Sequence, residues 1–592
     1  MNNRILTFLL CGIFATLIGC EKPIESENEN NKPGKGSLSG VALDMEISDV
    51  TATTAVFAYS VDLGEAAGMP IEVMLRYSVS DAFPTGATEV VKLKQNESSA
   101  TISGLQFDRQ YHYEVYMSLY GTEYNAEKGS FTTKAVSVTM NEPSESLDGL
   151  TLSGVVNGVS AADVPEFNVV LTLSDVAYGD ANEYNVELGE DFSFSKTVDG
   201  LDIGTTYAFS AKASQGTQKS VSSEEKTFTT ADPYVAAEKT ISGAATDLSA
   251  NATANCYVVP SSGVYKFKLV KGNSSEPVGD VKSVRVLWES FGSAVKPVAL
   301  DLISATCKDG DYAVFEVAQN FQEGNAVIAA FDQAGIILWS WHIWLTAADM
   351  AEITYANNAG VMMDRNLGAL SATPNDAKAL GLFYQWGRKD PFLGSSSISQ
   401  PLYAQSTRNL KVITNTPETA TLSFALSNPH KFILANAGGD WLASKDNSLW
   451  GSSKTIYDPC PKGWRVPDGG YNGGLGENAH PDGIWAKAGF SRQGDTEFAT
   501  GDEGKVGKIF SAPFCTPDTW YPAAGSIQYA TGQLYGLGVD GVYQSVTAYG
   551  GSDTMVTGFL FNYFPTLGVH YIYCGGEKFA RAGGNSVRCC KE

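Results

Sequence analysis

The feature that most limits what this chain can fold into is a pattern that occurs twice. Gly104-Leu105, followed by Tyr111-His112-Tyr113, returns 96 positions later as Gly200-Leu201 followed by Tyr207-Ala208-Phe209. Phe131-Thr132-Thr133 returns 97 positions later as Phe228-Thr229-Thr230. A repeat of about 100 residues has the size of one β-sandwich module. Residues 56–61, 73–79 and 115–117 supply short β-rich runs of the kind that half-buried strands need. The repeat therefore predicts two modules, at residues 38–134 and 135–232.

The shared pattern G-L-x(5)-Y-x-[YF] resembles the E–F corner of fibronectin type III domains. That resemblance implies that Tyr111 and Tyr207 pack into their cores and bond through their hydroxyls to the preceding turn. Neither module has a clear tryptophan on its second strand. Both are expected to serve as spacers between the membrane and the C-terminal end.

Residues 236–350 read as a third, β-sandwich-like unit. Residues 254–259, 263–269, 284–288 and 335–345 are its strand signals. The apolar run at 334–345 contains Ser340 and His342 and is too short to cross a bilayer, so it is a buried strand. Cys256 and Cys307 are the only cysteines of this unit. In an oxidising exterior they either pair or remain as buried thiols.

The N-terminus points to that exterior. Met1-Asn2-Asn3-Arg4 is a short basic start, and residues 5–18 are mostly apolar. This reads as a signal peptide, residues 1–19. Leu17-Ile18-Gly19-Cys20 resembles a lipobox, in which the thiol of Cys20 takes the diacylglycerol. Several acyl chains hold a protein stably at a membrane where one does not. Residues 20–37 have almost no apolar side chain and read as a disordered tether. Their acids Glu21, Glu25, Glu27 and Glu29 resemble the export signals of Bacteroidota surface lipoproteins. The expected location is the outer membrane, lipid-anchored and exposed at the cell surface. With 41 Lys and Arg against 65 Asp and Glu, the formal charge is −24. No cationic surface is available for nucleic acid.

The C-terminal residues 351–592 carry several short segments in a characteristic order. They are Met363-Asp364-Arg365-Asn366-Leu367-Gly368, then the run from Tyr384-Gln385-Trp386-Gly387-Arg388 to Phe392, then Asp458-Pro459-Cys460-Pro461-Lys462-Gly463-Trp464-Arg465-Val466-Pro467. Tyr521-Pro522-Ala523-Ala524-Gly525, Gly541-Val542-Tyr543-Gln544-Ser545 and Ser586-Val587-Arg588-Cys589 follow. Together they resemble the Fibrobacter succinogenes major paralogous domain family, which is similar to C-type-lectin-like folds. The resemblance implies an α+β domain with a twisted antiparallel sheet, one or two helices and long loops. Gly-rich stretches near 469–474 and 550–551 fit loops. Residues 346–350 and 376–379 are the short helical candidates. Trp386, Trp441, Trp450, Trp464, Trp485 and Trp520 are expected mostly as core plugs. The fold class as a whole is multidomain and mostly β.

In that family pattern the Cys before G-W-R-x-P pairs with the Cys of S-V-R-C. This implies a Cys460–Cys589 bridge, although the adjacent Cys590 leaves the choice between 589 and 590 open. Cys515 and Cys574 are candidates for a second bridge. Zinc is disfavoured, since no C-x-x-C is present and His480 and His570 have no ligand spacing. No metal or other cofactor is expected.

No familiar catalytic motif is present. Formylglycine-generating enzymes, more remotely similar, carry an N-x-W-E-W segment where this chain reads residues 541–546 as G-V-Y-Q-S-V. The calcium-lectin words E-P-N, Q-P-D and W-N-D are absent too. The expectation is a non-enzymatic adhesion protein whose C-terminal domain binds an extracellular glycan or protein. Tyr471, His480, Tyr529, Tyr535, Tyr563 and Tyr571 are the candidate contacts, because aromatic faces stack on sugar rings. The alternatives are a structural or anchoring subunit of a fimbria-like polymer and an accessory binder in polysaccharide use.

Overall fold

The computed structural model describes residue 38 and residues 40–592, except 147–148, 178–180, 396–404, 471–482, 491–497, 500–506, 512, 550–553 and 565–568. The repeat folds as two sandwiches. In the first, strands Ala42–Val50, Ala55–Asp62 and Ser99–Ile102 make one sheet. Thr88–Leu93, Ile71–Ser78, Gln110–Leu119 and Thr122–Thr132 make the other. Period-two alternation sends Phe57, Val73, Leu75, Val115 and Met117 between the sheets, where all are buried. The second module repeats the plan around Leu152, Val169, Leu171, Leu173 and Phe209.

Both corner tyrosines do what the resemblance implies. The Tyr111 hydroxyl accepts the backbone N–H of Gln106 at 2.9 Å, and that of Tyr207 accepts the N–H of Asp202 at 3.0 Å. The Phe-Thr-Thr repeat has a matching cause. Thr133 Oγ1 donates to the Gln106 carbonyl and Thr230 Oγ1 to the Asp202 carbonyl, each at 2.6 Å. Tyrosine and threonine thus clamp the two backbone groups of one turn residue, so that its N–H and its carbonyl are both paired.

The modules are also clamped to each other. The buried Asp163 carboxylate of the second accepts Thr51 Oγ1 at 2.5 Å, the Thr53 N–H at 2.7 Å and Thr53 Oγ1 at 2.8 Å from the first. Burial alone would raise this carboxyl's pKa. The Thr51, Thr53 and Ser160 donors outweigh it and hold the group below the usual range.

Residues 236–350 form a third sandwich. Thr246–Asp247, Gly263–Lys268, Tyr312–Val317 and Ile303–Asp309 make one sheet. Cys256–Val259, Ile337–Leu345, Gly324–Phe331 and Ser283–Ser290 make the other. One face of that second sheet packs inward. The other buries Cys256, Trp288 and Trp344 in the same cluster as Met363, Trp386, Trp441 and Cys589. The third sandwich and the C-terminal region therefore share a core. Asn255 adds polar ties, its Nδ2 donating to the carbonyls of Ile456 at 2.7 Å and Asp458 at 2.9 Å.

The C-terminal region holds a five-stranded sheet and a seven-stranded sheet that includes Asp540–Ala548, Met555–Phe564 and Val569–Ala580. Its described α-helices are short, Leu422–Ser427 and Ile484–Ala488. Residues 346–350 are not helical. There Thr346 Oγ1 and the Ala347 N–H both donate to Glu323, which holds the chain as it leaves its strand. The second helical candidate is a single 3-10 turn, Ala377–Ala379, capped by Asp376. Five of the six tryptophans are buried, and Trp464 is half-buried.

Cys460 and Cys589 form a disulfide. Cys589 lies in the cluster shared with Trp386, while Cys590, which opens strand Cys590–Lys591, lies in a second one with Met362. The other two candidate bridges are absent, and Cys256, Cys307, Cys515, Cys574 and Cys590 are free thiols. Cys256 pairs with His342 on one sheet of the third sandwich and Cys307 with Val314 on the other. Cys515 and Cys574 line one aromatic cluster from two different sheets. Burial pushes the Cys515 thiol up to about 12.

Candidate functional site

The family-like segments meet, but they build scaffold rather than a site. Arg588 is buried, donates to Asn366 Oδ1 at 3.0 Å and to the Trp520 carbonyl at 2.7 Å, and lies 3.7 Å from the centre of the Tyr521 ring. Trp386 Nε1 donates to the Ser545 carbonyl at 2.9 Å, and Gln385 Nε2 to the Ala582 carbonyl at 2.7 Å. Tyr543 donates to the Pro522 carbonyl at 2.6 Å. The polar side chains just named make their hydrogen bonds inside the core.

The candidate contacts separate into groups. Cys20, Tyr471 and His480 lie outside the described residues. Tyr563 and Tyr571 stand on adjacent paired strands, opposite His570 and Asn562, and their side chains are not described. Tyr529 and Tyr535 are 44% and 63% exposed. Tyr529 lies in the turn that joins strands Ser526–Ile527 and Leu534–Tyr535, and Tyr535 belongs to the second of them.

This turn is held from inside and outside. Gln528 Oε1 accepts the N–H groups of Ala530 and Thr531, and the Tyr529 carbonyl accepts the N–H of Ala435. Gly532 sits at φ +70° against Val412, where a Cβ would come within 2.5 Å of the Val412 side chain. Only glycine fits that approach. The two tyrosines are therefore presented on a fixed support.

Val412 belongs to strand Lys411–Ile413, and this strand leads into a pocket of about 350 Å³. Asp175, Asp202, Arg408, Lys411 and His430 line it. Lys411 Nζ lies 3.2 Å from Asp175 and 3.1 Å from Asp202, both buried. Burial pulls the Lys411 ammonium down, but the two carboxylates outweigh it and hold it above its usual value. The His430 imidazole is pushed down to about 3 by burial and by the cations Arg408 and Lys431, so it is neutral at physiological pH. Charged acceptors and donors thus face a neutral imidazole, a mixture suited to hydroxyl-rich or mixed-charge ligands. Val176, 54% exposed, adds an apolar rim.

Sequence reasoning missed these five residues. Asp175 and Asp202 come from the second sandwich, and Arg408, Lys411 and His430 from more than 200 positions further on. No spacing links them. Among the described residues, no group of three or more His, Cys, Asp or Glu gathers as a metal site.

No protein-family model matches the chain, and no curated protein matches it. Among solved structures, the chain is similar to a two-domain fibronectin type III segment of chicken tenascin. The identity is 15% over 32% of this chain and 98% of that one, with a TM-score of 0.16. It is also similar to the chicken interferon gamma receptor alpha chain, 12% identical over 32% of this chain and 97% of that one, with a TM-score of 0.18. The sandwich assignment rests on the paired sheets described above.

Proposed function

We propose that this chain is a non-catalytic recognition protein, anchored at the outer membrane through Cys20 and exposed at the cell surface. Its C-terminal region binds an extracellular glycan or protein segment. The observation that carries this reading is the pair of exposed tyrosines, Tyr529 and Tyr535, fixed on a clamped turn whose support leads into a polar pocket. Aromatic faces supply stacking, and the adjoining carboxylates and cations supply direction. The second sandwich contributes two of the pocket's charged groups and so does more than hold a domain at a distance. The segments that resemble the Fibrobacter succinogenes major paralogous domain family support a lectin-like role, and they supply the frame that carries the turn.

The test is a glycan and peptide array probed with residues 20–592, with and without a chelator. Residues 351–592 alone lack seven of the 27 buried residues of the shared core. The expected result is saturable, chelator-resistant binding that the double change Tyr529→Ala/Tyr535→Ala reduces at least tenfold, about 1.4 kcal/mol. The melting temperature stays unchanged, because both side chains are exposed. Binding that survives the double change would place the site elsewhere.

A further inference from the structure

A second recess lies where the third sandwich meets the segment around the Cys460 bridge. Its volume is about 430 Å³, and Ser249, Asn251, Thr253, Lys268, Lys454 and Lys462 contribute to its lining. Most of its polar groups are already committed. Ser249 Oγ donates to Asp247 at 2.7 Å and accepts the Lys268 N–H at 3.0 Å. Thr253 Oγ1 donates to the Ser274 carbonyl at 2.8 Å. Lys454 Nζ is consumed by Asp458 Oδ1 and the Cys460 carbonyl, each at 2.9 Å, and by the Trp464 carbonyl.

Four groups remain, the first being the buried Oδ1 of Asn273, which accepts no hydrogen bond from the described residues. The ammoniums of Lys268 and Lys462 and the amide of Asn251 are exposed, and none has a hydrogen-bond or ion partner among the described residues. The one acidic side chain of the lining is Glu592. Two uncommitted lysines offset the acid of Glu592 there, in a chain with 65 acids and 41 bases. The apolar side chains of the lining are the small ones of Ala250 and Ala252, too slight to anchor a peptide side chain. The committed hydroxyls still have lone pairs that accept from ligand hydroxyls. The recess is also wider than an inorganic anion requires.

We propose that this recess binds a sugar unit bearing a carboxylate, of the uronic acid type. Lys268 and Lys462 pair with the carboxylate, and Asn251 with ring hydroxyls. The inference rests on the recognition role proposed above and adds a second site with a different charge preference from the pocket around Lys411.

The test is titration calorimetry on residues 20–592 with a galacturonic acid tetramer, a neutral hexose tetramer of equal length and inorganic phosphate. The uronate alone binds, and more weakly as salt rises. The double change Lys268→Gln/Lys462→Gln weakens it about tenfold, as expected for two partly exposed ion pairs. The inference is overturned if the uronate does not bind, if the neutral tetramer binds equally, if phosphate displaces the uronate at equal concentration, or if the lysine changes have no effect. Array binding that depends on the tyrosines, together with absent uronate binding, would end this inference and leave the recognition role standing.

Discussion

The hydroxyl of Tyr234 donates to the Glu289 carboxylate at 3.0 Å, and both side chains are buried. Tyr234 sits in the short helix Pro233–Ala236 that joins the second sandwich to the third. Glu289 also accepts the N–H groups of Leu300 at 2.8 Å and Ile303 at 2.7 Å. One carboxylate therefore ties the linker to the body it enters.

This tie responds to pH. Burial pushes the Glu289 carboxyl up from 4.5 to about 7, against the pull of its hydrogen bonds. A folded pKa above the unfolded one gives stability that is complete below the unfolded pKa and lost as pH rises through the folded one. The native protein should thus lose roughly 3 kcal/mol from this group between about pH 4.5 and 7. Glu289→Gln turns one acceptor into a donor facing the Leu300 N–H, so the variant starts less stable at low pH. Its unfolding free energy should fall less with pH. Parallel slopes for the two proteins in urea melts from pH 5 to 8 would refute the assignment.

The Lys411 ammonium balances two buried carboxylates between the second sandwich and the C-terminal region. Lys411→Met leaves both without their counter-charge. Breaking such a group costs about 3 kcal/mol. The loss should appear as faster proteolysis near residues 230–236, and Asp202→Asn in the same background should recover part of it. Unaltered cleavage would mean that the sandwich docks by other contacts.

Reduction of the Cys460–Cys589 bridge opens a loop closed across 129 positions. Cys460→Ser/Cys589→Ser should lower stability by about 2–4 kcal/mol. Peptide mapping of the native protein should recover this crosslink. Cys515, Cys574 and Cys590 should alkylate only after denaturation, since all three are buried. Detection of a Cys515–Cys574 crosslink would contradict the arrangement.

The shared core predicts the behaviour of fragments. Residues 351–592 expressed alone expose the surface that Trp288 and Trp344 cover, and should aggregate or lose near-ultraviolet dichroism. Residues 233–592 should fold with a cooperative melt. A well-folded 351–592 fragment would show that the shared cluster is dispensable.

Much of the architecture was legible in the chain because the signals are local. Period-two alternation marked the strands at 56–61, 73–79 and 284–288, and a repeat near 100 residues marked two sandwiches. Tyr111 and Tyr207 were readable as corner residues because their bonds reach back only five positions. The pairing of Cys460 with Cys589 came from a resemblance in segment order rather than from any local rule. The helix expected at 346–350 is not formed, and there Thr346 Oγ1 and the Ala347 N–H bond to Glu323 instead. The bridges considered for Cys256 with Cys307 and Cys515 with Cys574 are not formed, and the four residues stand as free thiols on different sheets.

What the amino-acid sequence determined by itself was strand alternation, module size and the corner turns, since each depends on neighbours a few residues apart. The tertiary structure alone decided that the third sandwich and the C-terminal region share a core. It alone brought Asp175 and Asp202 to Lys411, and left Lys268 and Lys462 without partners among the described residues. These outcomes depend on which surfaces meet across hundreds of positions. Long-range burial and charge pairing choose among contacts that local pattern leaves equally open.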